Sequence, residues 1–207
     1  MSITLAQRPR TAATKAGVPP DLIWRLSVDQ YHEMIRNGII ADDDPVELLE
    51  GWLVRKMGKN PPHRIATQLL REALQQAVPV GWFVDDQEAV STGDSEPEPD
   101  VSVVRGDRRQ YLHGHPQPKD VAIVVEVAES SLDSDETLKK RIYARGKIPA
   151  YWLVNLAERR IEVYSEPSAG RREPQYRQRR EYAAGESVPV ILDGKTVGRI
   201  AVRDVLP

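Results

Sequence analysis

The chain has 207 residues, of which 40% are hydrophobic and 29% charged, with a formal net charge of −2 and no cysteine. This length and composition predict one folded domain. The absence of cysteine excludes disulfide frameworks, thiolate zinc sites and cysteine nucleophiles. The near-neutral charge excludes a globally basic nucleic-acid-binding protein, so any nucleic-acid surface must be local. Because there are only four histidines, carboxylates are the expected metal ligands, which favours hard cations such as Mg²⁺.

The N-terminal residues 1–20 predict a flexible tail. They carry basic residues but no acid, and they lack the apolar segment of a secretory signal. A transit peptide is the alternative. No apolar run approaches the roughly 18 residues that span a bilayer, so we expect no membrane partner. The lack of cysteine suits a reducing compartment, so we expect a cytoplasmic location.

The first part of the chain predicts two helices and a pair of short strands. Ser27 is a candidate N-cap for the first helix. Residues 46–57, "VELLEGWLVRKM", divide at Glu50 and Gly51 into two strands joined by a turn. The second helix begins at the prolines of residues 60–78. The predicted apolar faces are Tyr31, Met34 and Ile35 in the first helix, and Ile65, Leu69, Ala73 and Ala77 in the second.

The middle of the chain predicts a mixed α/β fold with a sheet covered by helices on both faces. The most apolar strand, residues 120–128, is expected at the centre of the sheet. Residues 159–166 alternate Ile161 and Val163 with Glu162 and Tyr164, as an exposed or edge strand would. The other predicted elements are strands at 81–90, 100–104 and 150–156, a loop at 105–119, and a helix at 130–146.

The C-terminal residues 168–207 predict a small β extension of the domain formed by residues 21–167. Asp193 and Gly194 supply a hairpin turn signal within it. The run "RREPQYRQRR" is a candidate for contact with a nucleic-acid backbone, and the alternative is a solvated hairpin loop. Its five arginines are Arg171, Arg172, Arg177, Arg179 and Arg180.

Two acids lie in or next to predicted buried strands. Asp100 follows a proline at the start of "DVSVV", and Glu126 lies within "VAIVVEVA", where it is expected to share a face with Val124 and Ala122. A buried carboxylate must be paired, protonated or bound to a metal. If the two strands are neighbours, both acids can share a divalent ion that activates water. The alternatives are a strand-start aspartate and acids held by internal salt bridges.

Several segments resemble the Uma-type putative restriction endonuclease family of the PD-(D/E)XK nuclease superfamily. The segments are "EPEPDVSVV", "VVEVAESS" and "DETLKKRIYARGKIPAYWLVN", with "VELLEGWLV" and "PPHRIATQLL" upstream. Together they cover roughly residues 28–164, in the order that the family shows. The resemblance implies a restriction-endonuclease-like core, a Mg²⁺ (or Mn²⁺) cofactor, and hydrolysis of phosphodiester bonds in DNA by a homodimer.

The resemblance also implies the roles of individual residues. Asp100 is the "PD" acid and Glu126 the "(D/E)" acid, both metal ligands. The position where "XK" places lysine is Ala128, so the catalytic lysine must come from elsewhere, and the following helix supplies Lys139. The alternative for Lys139 is the solvated face of that helix. Glu47 matches a further acid of the family's metal site, and it is expected to be the third acid that holds the metal.

Other residues are expected to support the site. Glu50 is the rival of Glu47, although its place before a glycine favours a turn role. His63 is expected to contact a phosphate or to support an acid, with a helix-cap role as the alternative. The remaining supporting candidates are Asp135, on the helix face of Lys139, Gln87 or Glu88 in the preceding strand, and the backbone carbonyl of Val127 as a metal ligand.

Two other classes of function stay open at this point. One is a catalytically inactive binding or interaction module that keeps the nuclease fold, which the alanine at position 128 and the ordinary net charge both allow. The other is a structural interaction protein whose acids form internal salt bridges. The histidines of "HGHP", His113 and His115, are a weak additional metal signal because they lie in a predicted loop.

Overall fold

The computed structural model describes residues 22–41, 43–56, 58–128, 134–168 and 173–207. These residues form three α-helices and ten β-strands. The helices are α1 (Val28–Arg36), α2 (Pro61–Ala77) and α3 (Ser134–Arg145). The strands are β1 (Val46–Leu49), β2 (Trp52–Arg55), β3 (Trp82–Asp85), β4 (Val101–Arg105), β5 (Val121–Ala128), β6 (Ala150–Asn155), β7 (Arg160–Ser168), β8 (Gln175–Ala183), β9 (Ser187–Leu192) and β10 (Lys195–Ala201).

The central sheet has the strand order β3-β4-β5-β6-β7-β8. Only β5 and β6 of this sheet pair in parallel, and α3 connects them, as a parallel pair requires. Every residue of β5 is buried, so the prediction that this strand is central is confirmed. The mixed sheet with helices on its faces also confirms the predicted fold class.

Local sequence signals set the helix starts. Ser27 and Gln30 form a capping box at the first turn of α1. Asn60 caps α2 by accepting a hydrogen bond from the amide of His63. The prolines at the first two positions of α2 are compatible with this start because those amides lack intrahelical acceptors. These contacts fix the position of His63 at the N-terminal end of α2.

The buried face of α2 differs from the predicted one. Ile65 is exposed, and the predicted Leu69, Ala73 and Ala77 are only partly buried at the edge of the core. A row of residues four apart turns by about 40° per step on a helix with 3.6 residues per turn, so it does not stay on one face. The buried residues of α2 are instead Ala66, Thr67, Leu70 and Leu74.

Strand β7 is an interior strand, so the prediction of an exposed or edge strand is wrong. It pairs with β6 on one side and with β8 on the other. Glu162 is buried because its carboxylate pairs with Arg160 and Arg179 and accepts a hydrogen bond from the Tyr164 hydroxyl at 2.7 Å. The alternation of polar and apolar residues therefore reflects a paired acid inside the sheet, not solvent.

The C-terminal residues extend the central sheet and cover its core. Strand β8 lies at the edge of the sheet, so the prediction of a loop for Arg177, Arg179 and Arg180 is wrong. Strands β9 and β10 form a hairpin, and its Asp193 and Gly194 have φ of 49° and 74°. Positive φ at both positions is what a type I′ turn requires, and the predicted turn is confirmed.

Two apolar clusters lie on the two faces of the sheet. The first joins α2 and the β9–β10 hairpin to Val125 and Val127, and the second joins α3 to Val124. Ala122 belongs to the first cluster, so the prediction that it shares the face of Val124 and Glu126 is wrong. The β4–β5 register shifts between Val103 and Val104, and this bulge turns Ala122 to the other face. No helix in the described part of the chain is long and apolar enough to cross a membrane.

Candidate active site

Three buried acids meet at one end of the central sheet. Glu47 comes from β1, Asp100 from the residue before β4, and Glu126 from β5, with exposed fractions of 1%, 5% and 7%. The β4–β5 register pairs Val101 with Val125, which places Asp100 beside Glu126. The condition under which Asp100 and Glu126 can share an ion, that their strands are neighbours, is therefore met.

Asp100 completes the β4–β5 ladder with its side chain. Its Oδ2 accepts a hydrogen bond of 2.9 Å from the amide of Val127 and lies 3.0 Å from Nε2 of His63. Its Oδ1 lies 3.4 Å from Nζ of Lys59. Burial alone would raise the pKa of Asp100, but His63, the Val127 amide and Lys59 outweigh it and lower that pKa. Asp100 is therefore held as an anion.

Lys139 lies between two of the acids. Its Nζ is 3.1 Å from Oε1 of Glu47 and 3.5 Å from Oε1 of Glu126, and it lies 3.5 Å from the carbonyl oxygen of Glu98. Lys139 is buried, so the alternative that it belongs to the solvated face of α3 is wrong. Lys139 thus projects from α3 toward Glu126, where the "XK" position of the strand carries Ala128 in place of a lysine.

Tyr143 also lies at the site, although no motif quoted above singled it out. It lies one helical turn after Lys139, so both side chains project from one face of α3. Its hydroxyl donates a 2.7 Å hydrogen bond to Oε1 of Glu126, and both groups are buried. Burial and the nearby Glu126 carboxylate raise the pKa of Tyr143 well above its ordinary value, so the phenol stays a donor. The four-residue spacing from Lys139 was the available signal.

Glu126 has a carboxyl group whose pKa is strongly raised. Burial raises the pKa of Glu126 to about 8, and the negative charges of Asp100 and Glu47 add to this effect. Lys139 and the Tyr143 hydroxyl act in the opposite direction but do not cancel it. The carboxyl group therefore holds its proton more tightly than an exposed glutamate does.

The structure separates Glu47 from its rival, Glu50. The carboxylate of Glu47 is buried and accepts a 3.0 Å hydrogen bond from the amide of Glu98, the residue two before Asp100. Glu50 has φ of 48° in the β1–β2 turn and pairs with Arg141 and Arg145 on the surface of α3. Glu50 is thus a turn residue, as its place before glycine indicated.

Other predicted site residues lie elsewhere or stay predictions. Strand β3 ends at Asp85, so the prediction that Gln87 and Glu88 lie in that strand is wrong. Gln87 is exposed with φ of 57°, which a strand does not permit. The Val127 contact described above involves its amide, and its carbonyl as a ligand stays a prediction. Asp135 lies in α3, but its side chain is outside the described part of the chain.

The arginines of the run that the structure describes are not brought to the acids. Arg171 and Arg172 lie outside the described residues, and Arg177, Arg179 and Arg180 lie on β8, three strands from β5 in the sheet order. Arg179 is engaged with Glu162 at 2.9 Å. Contact of the run with nucleic acid therefore stays a prediction. Lys59, in contrast, approaches Asp100 although the sequence analysis did not single it out.

The donor atoms of the three acids are of the chemical type that a hard divalent cation prefers. Carboxylate and carbonyl oxygens are the ligands that Mg²⁺ prefers, and a bound cation would offset the burial that raises the pKa of Glu126. Glu47 differs, because Lys139 already lies against its carboxylate at 3.1 Å. Because Lys139 also lies 3.5 Å from Glu126, the role of Glu47 as a third metal ligand stays a prediction.

Comparisons with known proteins agree on a nuclease family and fold. A crystal structure described as a putative nuclease belonging to DUF820 from Anabaena variabilis ATCC 29413 is similar, with a TM-score of 0.66 and 14% sequence identity. The match covers 87% of this chain and 97% of that chain, and at this identity it shows the fold. Comparison with curated proteins gave no match. The sequence matches the family "Uma2: Putative restriction endonuclease" over residues 28–193, and the chain therefore belongs to the Uma2 family.

Proposed function

We propose that this protein is a Mg²⁺-dependent endonuclease that hydrolyses phosphodiester bonds in DNA. The observation that carries the proposal is the position of Lys139 between Glu47 and Glu126. A buried lysine that contacts buried acids in a nuclease fold brings together the positive and negative charges that phosphoryl transfer needs. Family membership supports the same class of enzyme.

Asp100 and Glu126 would hold the metal, with the Val127 carbonyl as a further ligand and Mn²⁺ as a substitute ion. When bound, the ion supplies activation of water and neutralisation of phosphate charge. His63, Lys59 and the Val127 amide keep Asp100 ionised and oriented. The Tyr143 hydroxyl fixes the carboxyl group of Glu126. These contacts prepare the two acids before a substrate arrives.

Lys139 would perform the task that an "XK" lysine performs from the strand. Its Nζ lies 3.5 Å from Glu126, so a cation stands beside the second acid although the strand itself carries Ala128. Glu47 holds that ammonium group in place at 3.1 Å. The group is thus positioned to steady the attacking water or the developing charge on the phosphate.

A second candidate is a catalytically inactive binding module with the same fold. The observation that favours it is the same Lys139 contact, because an internal ion pair with Glu47 and Glu126 can satisfy these acids without a metal. Under this alternative the site is a structural ion-pair network, and Mg²⁺ has no role in it.

Calorimetric titration with Mg²⁺ and Mn²⁺ separates the two candidates. The wild type should bind a metal, Asp100→Asn should lose that binding, and Glu72→Gln should retain it because Glu72 is exposed on α2 away from the acids. The titration is repeated in the presence of duplex DNA so that a site completed by the substrate is also detected. Metal binding that is the same in wild type and Asp100→Asn would contradict the proposal.

Duplex DNA as the substrate, a homodimeric state and a cytoplasmic location are further parts of this proposal. A homodimer supplies one site for each strand of a duplex. Sedimentation of the purified chain with and without duplex DNA tests the dimer, and the expected result is a mass of two chains.

A further inference from the structure

A second group of potential metal ligands lies outside the acids described above. His32 comes from α1, Glu96 from the extended segment before β4, and His115 from the connection between β4 and β5. One ligand atom from each of these residues lies within 4.8 Å of the others. Nε2 of His32 is 2.8 Å from Oε1 of Glu96, and Nε2 of His115 is 3.9 Å from the same oxygen.

Glu96 is fixed by its surroundings. It is 3% exposed, its amide donates a hydrogen bond to the Leu48 carbonyl, and the Ser91 hydroxyl donates to Oε2 of its carboxylate. The imidazoles of His32 and His115 are 31% and 40% exposed. The carboxylate is therefore the buried floor of the group, and the two imidazoles form its solvent-facing side.

The spacing suits an ion with nitrogen and oxygen ligands. Bonds of about 2.0–2.2 Å in tetrahedral geometry place two ligand atoms roughly 3.4 Å apart. The measured nitrogen-to-oxygen distances of 2.8 and 3.9 Å lie on either side of that value. A small rotation of the two partly exposed imidazoles would equalise them, while Glu96 need not move.

We propose that His32, Glu96 and His115 form a binding site for a late first-row divalent cation such as Zn²⁺, with water completing the coordination. Two imidazoles and one carboxylate favour such an ion over Mg²⁺, which prefers oxygen ligands. The site is distinct in chemistry from the acids around Asp100, and its existence does not depend on nuclease activity.

Such an ion would connect three segments that are distant in sequence. His32 and Glu96 are 64 residues apart, and His115 belongs to a third segment. Glu96 also precedes Asp100 by four residues, and the carbonyl of the intervening Glu98 approaches Lys139. The bound ion would therefore hold α1 and the β4–β5 connection against the segment that leads into the acid site.

Co²⁺ titration of the full chain tests this site. Bound metal is first removed with a chelator, the chelator is then removed, and visible absorption is recorded as Co²⁺ is added. Wild type should develop the absorption of a tetrahedral or five-coordinate ion, and Zn²⁺ should displace it. His115→Ala and His32→Ala should each weaken Co²⁺ binding at least tenfold. His113→Ala is the matched control, because His113 is exposed in the same loop and is not in the group, so binding should be unchanged.

Asp100→Asn distinguishes this site from the acid site, and it should leave the Co²⁺ spectrum and affinity unchanged. Thermal unfolding with and without Zn²⁺ is the second readout: Zn²⁺ should raise the Tm of wild type and His113→Ala but not of His115→Ala. The proposal is overturned if wild type gives no such spectrum, if the His115 and His32 variants bind as wild type does, or if Asp100→Asn abolishes the signal.

Discussion

Nζ of Lys139 lies 3.1 Å from Oε1 of Glu47, and both side chains are buried. Lys139 comes from α3, and Glu47 comes from β1, which pairs with β2 in a sheet separate from the central one. Their contact attaches the β1–β2 hairpin to the helix that follows Glu126. The same ammonium group lies 3.5 Å from Glu126, so the side chain of Lys139 connects Glu47 to Glu126.

Replacing Lys139 by methionine should slow cleavage about 10²–10³-fold while leaving metal binding intact. The methionine keeps most of the length of the side chain but removes the charge that would stabilise the developing charge on the phosphate. Single-turnover cleavage of plasmid DNA and calorimetric Mg²⁺ titration measure the two properties. Lys140→Met is the matched control, because Lys140 contacts the Tyr164 ring instead. Equal rates in the two variants would refute a role for Lys139.

The metal-free protein should lose stability as the pH rises from about 4.5 to about 8. Burial raises the pKa of Glu126 from 4.5 to about 8 in the folded state. The folded protein therefore binds one more proton than the unfolded chain in this range, and the free energy of unfolding falls as that proton is lost. Glu126→Gln should show a smaller decrease, because its carboxamide does not titrate.

Urea unfolding in the presence of EDTA at several pH values checks this difference. The quantity of interest is wild type minus Glu126→Gln, since the other titrating groups contribute to both. A difference that does not change between pH 5 and pH 8 would contradict the raised pKa. Saturating Mg²⁺ should restore the stability of wild type at pH 8 more than that of the variant, because the ion takes the place of the proton.

His63 should stabilise the protein through Asp100. Its Nε2 lies 3.0 Å from the buried Asp100 carboxylate, so His63→Ala removes one partner of a buried anion and should cost about 1–3 kcal/mol. The double variant with Asp100→Asn should cost less than the sum of the single variants, because the two residues share one interaction. Chemical denaturation of the four proteins supplies this cycle, and strictly additive costs would disprove the coupling.

Glu162 should matter for stability and not for catalysis. Its carboxylate accepts from the Tyr164 hydroxyl and pairs with Arg160 and Arg179. Glu162→Ala leaves the buried hydroxyl without this acceptor and should cost about 1–3 kcal/mol. Glu162→Gln should cost less, since a carboxamide oxygen still accepts a hydrogen bond. Thermal unfolding checks the order, and a lower cleavage rate per folded molecule would contradict a purely structural role.

Local sequence patterns were sufficient to single out the buried acids and to predict most helices and strands. Asp100 and Glu126 were found because each charged residue adjoins an apolar strand, and Lys139 because family motifs place a lysine on the next helix. The capping residue Ser27 and the Asp193–Gly194 turn act within a few residues of their own position. Signals of this kind depend only on neighbouring residues, so tertiary contacts do not change them.

Contacts between distant segments were not visible in the sequence. Strand β7 looked like an edge because its alternation gives no indication that β8 pairs with it. The partners of Glu162 and the approach of Lys59 to Asp100 depend on tertiary packing. The same holds for His32 and Glu96, whose contact joins residues 64 positions apart. Patterns of spacing describe single elements, whereas these contacts require the arrangement of several.

The most direct test of nuclease function is the conversion of supercoiled plasmid to nicked and linear forms by wild type and Glu126→Gln, purified in parallel. Reactions contain Mg²⁺, Mn²⁺ or EDTA, with Glu72→Gln as the control for purification and folding. Our account predicts that wild type and Glu72→Gln cut the plasmid only when a divalent metal is present, and that Glu126→Gln does not cut it. Equal cutting by Glu126→Gln and wild type, or no metal-dependent cutting by folded wild type on any DNA form, would contradict it.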